Sequence, residues 1–337
     1  MANPQLAMAR RMINAAICAY QVHPAGWVPG PGIQPLQGKT VQGPGNLYFY
    51  NVVPMFQDEV GFVKSAAQGY VPLFTSSGVD DINAALVGAM KDGNLLISIR
   101  GTIPPTFDND DIFAWMHDWA QDGEIQPRDW CIRQGPWSNV QQVERGFAAA
   151  MLNLWPRLIQ MIDQTLAMTP CKSVVIAGHS KGAAMTFLAA SLVAQAYPQF
   201  VGKIEVHAFA PPPFCNLGFQ KAYAALAPTT HRYQVENDVV PFLPLWDDAD
   251  LYTAVRFSHL GREAAWLAFF AFIGFETGGG YHTVGDFTYF NSKHKLVPGA
   301  NVLTSALPAV AKTLMAEAFE TVADAHSAIA SYRPCFM

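Results

Sequence analysis

The sequence predicts an α/β fold, a mostly parallel central sheet with helices on both faces and insert segments. Three observations carry this expectation. Short β-branched runs alternate with longer apolar helical stretches, as strand–helix–strand units require. One such run, Ser173–Ala177 (SVVIA), passes through a Gly-x-Ser-x-Gly pentapeptide straight into an apolar helix. Only 14% of the 337 residues are charged and 51% are hydrophobic, against about 25% and 45–50% in an average soluble domain.

Taken in chain order, the N-terminal segment MANPQLAMARRMINAAICAYQVHPAG reads as a helix packed on the body. Its apolar stretch is short, is interrupted by Asn14 and precedes no clean small-x-small cleavage site, so it does not read as a signal peptide. The expected location is cytoplasmic, or secreted without a cleaved leader, as a bacterial-type soluble enzyme. Residues 24–54 are rich in Gly and Pro and read as an irregular surface loop. Asn94–Ile99 (NLLISI) reads as a buried strand, Glu144–Ala167 as a helix kinked at Pro156, and Lys181–Tyr197 as a long apolar helix. Lys203–Phe209 and Arg232–Glu236 read as further strands. No Ser/Gly linker divides the chain. It is expected to be one domain, 1–337, with an N-terminal region at 1–90 and a catalytic core at 91–337 that carries an insertion near 247–279.

Composition excludes several functions. A net charge of -5 leaves no basic footprint for nucleic acid, and the hydrophobic content is too high for a disordered chain. The longest apolar run, AAWLAFFAFIGF from Ala264, is shorter than the roughly 18 residues a membrane span needs. The cysteines (Cys18, Cys131, Cys171, Cys215, Cys335) are scattered, with neither CxxC nor a Cys/His cluster of zinc spacing, and they are expected to be unpaired. The Asp108, Asp110 and Asp111 cluster lacks calcium-loop spacing and reads as a solvated acidic loop. No metal and no cofactor is expected.

The chemistry is signalled by Gly178-His179-Ser180-Lys181-Gly182. A strand entering and a helix leaving it form the setting of a nucleophile elbow, in which the serine sits on a strained turn and both glycines allow close packing. A serine hydroxyl needs a base, and the base needs an orienting carboxylate. Asp238 follows a strand and stands on the same sheet edge; Asp247, Asp248 and Asp250 compete with it from an apparently solvated loop. His259, His282, His294 and His326 follow Asp238, and spacing does not choose between His282 and His326 as the base. His179 is expected to pack away from Ser180.

Eight segments, in order, carry a resemblance: Leu96–Thr102 (LISIRGT), Trp115–Trp119 (WMHDW), Val143–Phe147 (VERGF), the GHSKG elbow, Ala208–Pro212 (AFAPP), Glu236–Pro244 (ENDVVPFLP), Tyr281–Phe290 (YHTVGDFTYF) and Asp324–Tyr332 (DAHSAIASY). Together they resemble the class 3, fungal-lipase-like family of α/β hydrolases across roughly residues 90–332. Lys181 and Ala183 depart from the family's leucine and second glycine. The resemblance implies Ser180 as nucleophile, Asp238 as acid and His326 as base, with His282 the alternative base. It implies Thr102 and the Lys181 backbone N–H as the oxyanion hole. It also implies a lid, for which Ile103–Trp119 and Arg262–Thr277 are the candidate segments.

The implied function is a serine carboxylester hydrolase, a lipase or esterase acting on acylglycerol or other lipid-like esters through an acyl-enzyme. The alternatives are a phospholipase acting on membranes, including an exported antibacterial effector, and a catalytically silent binding module. The expected partners are a lipid or small ester and a transient lipid interface, without nucleic acid and without a transmembrane segment.

Overall fold

The computed structural model describes residues 4–20, 22–23, 40–43, 47–50, 59–61, 71–75, 83–102, 127–132, 141–238, 240–242, 281–301, 305–306 and 325–337. Among the described residues, twelve strands run in chain order as β1 Val22–His23, β2 Thr40–Gly43, β3 Leu47–Tyr50, β4 Val71–Thr75, β5 Asn83–Ala89, β6 Asn94–Ile99, β7 Pro127–Asp129, β8 Gln142–Glu144, β9 Ser173–His179, β10 Ile204–Phe209, β11 Thr229–Val235 and β12 Asp286–Phe290. The α-helices among them are α1 Pro4–Ala19, α2 Arg145–Met168, α3 Lys181–Ala196 and α4 Leu217–Ala225.

Seven strands form the central sheet, in the order β12-β11-β10-β9-β6-β5-β4. From β6 to β12 every pairing is parallel, whereas β4–β5 and β5–β6 are antiparallel. Strands β5 and β6 are buried at every position, because helices cover both faces and leave no solvent side to alternate with. On one face lie α2 and α3, with Phe147, Leu154, Phe187 and Leu188 in the core. On the other lie α1 and the C-terminal segment, with Ile13, Ile17, Tyr332 and Phe336 against Phe209 and Tyr233. The N-terminal helix is therefore one wall of the sheet's second core.

Helix α2 starts where VERGF predicts. The buried Glu144 carboxylate accepts the Gly146 and Phe147 backbone N–H groups, each at 2.7 Å. A carboxylate cap at a helix N-terminus also meets the positive end of the helix dipole. The helix runs on through Pro156 to Met168. Helix α3 is buried on nearly all sides, which explains an apolar sequence with no polar stripe.

The structure differs from the expected elements at three places. The Gly/Pro-rich stretch 24–54 contains β2 and β3, which pair antiparallel in a small sheet with β1. The region before residue 90 also supplies β4 and β5 to the central sheet, so the sheet is mixed at that edge. Strand β11 begins at Thr229, earlier than Arg232. All five cysteines are free thiols. No helix among the described residues is long and apolar enough to cross a membrane.

Candidate active site

Ser180 sits between β9 and α3 with φ 60° and ψ −132°. A non-glycine residue seldom adopts this conformation, and holding it costs of order 1–3 kcal/mol. The surroundings enforce it. A Cβ at Gly178 would strike the Gly182 carbonyl, and one at Gly182 would strike the Ile99 carbonyl and the Arg100 backbone. The two glycines therefore let α3 press on β9 and on the end of β6. The Ser180 N–H is held by the Phe209 carbonyl of β10 at 2.9 Å.

The same close approach brings the Arg100-Gly101-Thr102 turn to the elbow. A Cβ at Gly101 would meet both the Tyr20 hydroxyl and the His179 carbonyl. Thr102 thus stands beyond β6 while Lys181 opens α3, at the helix end whose N–H groups point away from the helix's own carbonyls. The Thr102 hydroxyl oxygen is buried and has no hydrogen-bond partner among the described residues. Arg100 is buried as well, and burial pushes its guanidinium down to about 10.

Asp238 follows β11 in a tight turn, with its own N–H on the Val235 carbonyl at 3.1 Å. Its carboxylate is fully buried and meets three partners. His326 Nδ1 lies 3.0 Å from each oxygen, the Tyr332 hydroxyl donates to Oδ2 at 2.5 Å, and the Val240 N–H donates to Oδ1 at 3.0 Å. An ionised carboxylate only accepts, so Nδ1 of His326 carries the proton and Nε2 keeps the lone pair. This is the tautomer that a general base needs.

His282 stands elsewhere. Its backbone forms an antiparallel bridge with Cys215, its N–H donating to the Cys215 carbonyl at 2.6 Å and its carbonyl accepting from Phe214 and Cys215. The structure thus brings Asp238 together with His326 and pins His282 beside the loop after β10.

Three contributors were not singled out in the sequence or were read only as packing. Tyr332 holds Asp238. His179 is buried against His326, with ring centroids 4.7 Å apart, and packs edge-on to Tyr332 at 5.4 Å. Tyr20, from the end of α1, bonds His179 Nδ1 at 2.9 Å. Burial lowers His179 well below the usual histidine range, and the neighbouring His326 lowers it further. His179 is therefore neutral beside His326 and adds no repulsion when that ring takes a proton. The spacing of Tyr332 after His326 was visible, but nothing in the sequence says that its hydroxyl reaches residue 238. The lid candidates Ile103–Trp119 and Arg262–Thr277, the WMHDW segment, His259 and the competing acids Asp247, Asp248 and Asp250 lie outside the described residues.

The chain is similar to proteins of known family and structure. The class 3 lipase family model matches residues 97–248. A fungal lipase crystal structure matches over 100% of both chains at 15% identity and TM-score 0.57. The lipase of Rhizopus microsporus var. chinensis matches over 86% of this chain and 75% of its own, at 15% identity and TM-score 0.53. The chain spans 58% of a Rhizomucor miehei lipase in its propeptide complex, a match over 71% of this chain at 16% identity and TM-score 0.47. None of the curated proteins compared matches the chain. At these identities the likeness shows the fold, which is that of the α/β hydrolases.

Proposed function

We propose that the chain is a serine carboxylester hydrolase acting on lipid-like esters, a reading supported by the match of residues 97–248 to the class 3 lipase family model. The observation that carries this reading is the Asp238–His326 pair, whose imidazole lies 4.7 Å by ring centroids from His179, the residue that precedes a serine held in a strained elbow. Ser180 Oγ attacks the ester carbonyl carbon while His326 Nε2 takes its proton. The carbonyl oxygen becomes an oxyanion, received by the Lys181 N–H and by Thr102 through its N–H and hydroxyl. Donors fixed in advance for that charge are each worth about 10²–10³ in rate. As the tetrahedral intermediate collapses, His326 returns the proton to the leaving alcohol and an acyl-enzyme remains. Water then attacks the acyl carbon, with His326 again the base, and releases the acid and Ser180. Asp238 stays ionised throughout and stabilises the imidazolium.

The experiment is turnover of a p-nitrophenyl ester by the full chain. Ser180→Ala is expected to lower kcat by about 10⁶, and Ser180 is expected to react with a fluorophosphonate. His326→Ala is expected to abolish turnover while His282→Ala keeps most of it; the reverse result overturns the assignment of the base. Near-wild-type turnover by Ser180→Ala overturns the whole reading. Assaying glyceride emulsions beside phospholipid vesicles then identifies the lipid class, with glycerides the expected substrate.

A further inference from the structure

On the α1 side of the sheet, at the end remote from the elbow, three side chains converge. Glu205 and His207 are two residues apart on β10 and so share a face. His231 stands directly opposite His207 on the parallel strand β11. Glu205 Oε1 lies 2.9 Å from His207 Nε2 and 3.7 Å from His231 Nε2, and the ligating atoms of all three lie within 4.8 Å of one another. The two rings lie with centroids 5.1 Å apart, tilted by 42°.

We propose that Glu205, His207 and His231 form a binding site for a divalent transition ion, zinc above all. Zinc takes nitrogen and oxygen ligands at about 2.0–2.2 Å in a tetrahedron, which sets its ligand atoms about 3.3 Å apart. The separations of 2.9 Å and 3.7 Å bracket that value. The ring nitrogens that would not bind metal are already engaged. His207 Nδ1 meets the Tyr233 hydroxyl at 3.0 Å, and His231 Nδ1 meets the Gln5 side-chain amide at 3.0 Å. Turning that amide over sets its oxygen to accept the His231 N–H, and Tyr233 accepts from His207. Metal-binding histidines are normally oriented through the second nitrogen in this way.

His207 is fully buried, whereas Glu205 is partly exposed and gives the ion a path in and a place for a water ligand. Two neutral imidazoles and one carboxylate are a donor set that suits zinc better than magnesium or calcium, which prefer oxygen. Glu205 lies four residues back along β10 from Phe209, the partner of His179, or roughly 13 Å at the strand rise. The ion therefore takes no part in ester hydrolysis. It ties β10 to β11 and, through Gln5, to the start of α1. The ligands come from two strands, so linear spacing hides the site from the sequence.

The test is metal content and affinity of the full, tag-free chain, first stripped by a chelator and then dialysed against zinc chloride. One zinc per chain at low micromolar free metal is expected, with a Tm raised by several degrees. Cobalt(II) in its place is expected to give the visible absorption of a tetrahedral site. Glu205→Gln, at a partly exposed position, and His231→Gln, at a position only 9% exposed, are each expected to weaken zinc binding at least tenfold, and Ser180→Ala to leave it unchanged. If either variant fails to fold by circular dichroism, the other decides. Absence of stoichiometric zinc in the wild-type chain, or full retention of it in the folded variants, overturns the site.

Discussion

The Tyr332 hydroxyl donates to Asp238 Oδ2 at 2.5 Å, on the carboxylate that also receives His326 Nδ1. Burial first, and then the charge of Asp238, push Tyr332 well above the usual phenol range. It therefore stays a donor at every working pH. Tyr332→Phe keeps the ring that packs against Phe209 and His179 and removes only the hydroxyl. A hydrogen bond to a charged group is worth about 1.5–3 kcal/mol. The carboxylate would then hold His326 less firmly, and kcat on a soluble ester is expected to fall at least about tenfold, equivalent to about 1.4 kcal/mol. KM is expected to stay nearly constant because Tyr332 positions Asp238. A raised KM with unchanged kcat would contradict the role.

Backbone strain at Ser180 predicts opposite effects on stability and activity. Ser180→Gly and Ser180→Ala both remove the nucleophile. Only glycine relaxes at φ 60°, where the strain costs of order 1–3 kcal/mol. Thermal unfolding is expected to place Ser180→Gly a few degrees above Ser180→Ala, with both inactive. Equal Tm values would mean that the turn stores no strain.

Closeness of α3 to β6 is tested at Gly182. A Cβ there would lie 2.7 Å and 2.8 Å from the Arg100 carbonyl carbon and oxygen, which are backbone atoms that cannot swing aside. Overpacking of this kind costs about 1–3 kcal/mol. It also separates Lys181 from Thr102, so kcat/KM for Gly182→Ala is expected to drop about 10²-fold or more, the worth of one oxyanion donor. Gly202→Ala is the control. That glycine has φ 72° and open space around it, so its variant should lose some stability and keep its turnover.

The difference between these glycines shows which features were legible in the sequence. Ser180, its strand and its helix could be read because the elbow is a local arrangement: strand period, turn glycine and apolar helix adjoin in the chain. Asp238 could be read because it follows a strand directly. Strands β4 and β5 were missed because Val71–Thr75 holds a proline and Asn83–Ala89 is largely small residues with Val87 its one β-branched side chain, a composition that carries a weak strand signal. β5 pairs with β6, and β4 pairs in turn with β5. Tyr20, His179 and Tyr332 gain their roles from side-chain contacts between segments far apart in the chain, and no periodicity encodes such contacts. The Glu205, His207 and His231 cluster escaped for the same reason, since zinc spacing is recognised only when ligands lie close in sequence.

The buried His179 makes stability depend on pH. Burial, followed by the proximity of His326, holds its folded pKa well below the usual 6.5. Above pH 6.5 the ring is neutral in both folded and unfolded chains, so it contributes no pH dependence there. As pH falls below 6.5 the unfolded chain binds a proton that the folded chain refuses, and stability declines until the folded pKa is reached. The slope from one such group is at most about 1.4 kcal/mol per pH unit. Denaturant unfolding between pH 7 and pH 5 is expected to show this loss, and His179→Gln is expected to reduce it while weakening the contact with Tyr20, leaving the share of His207, which burial also lowers. If the variant and the wild type lose stability in parallel over that range, the acid sensitivity arises elsewhere in the chain.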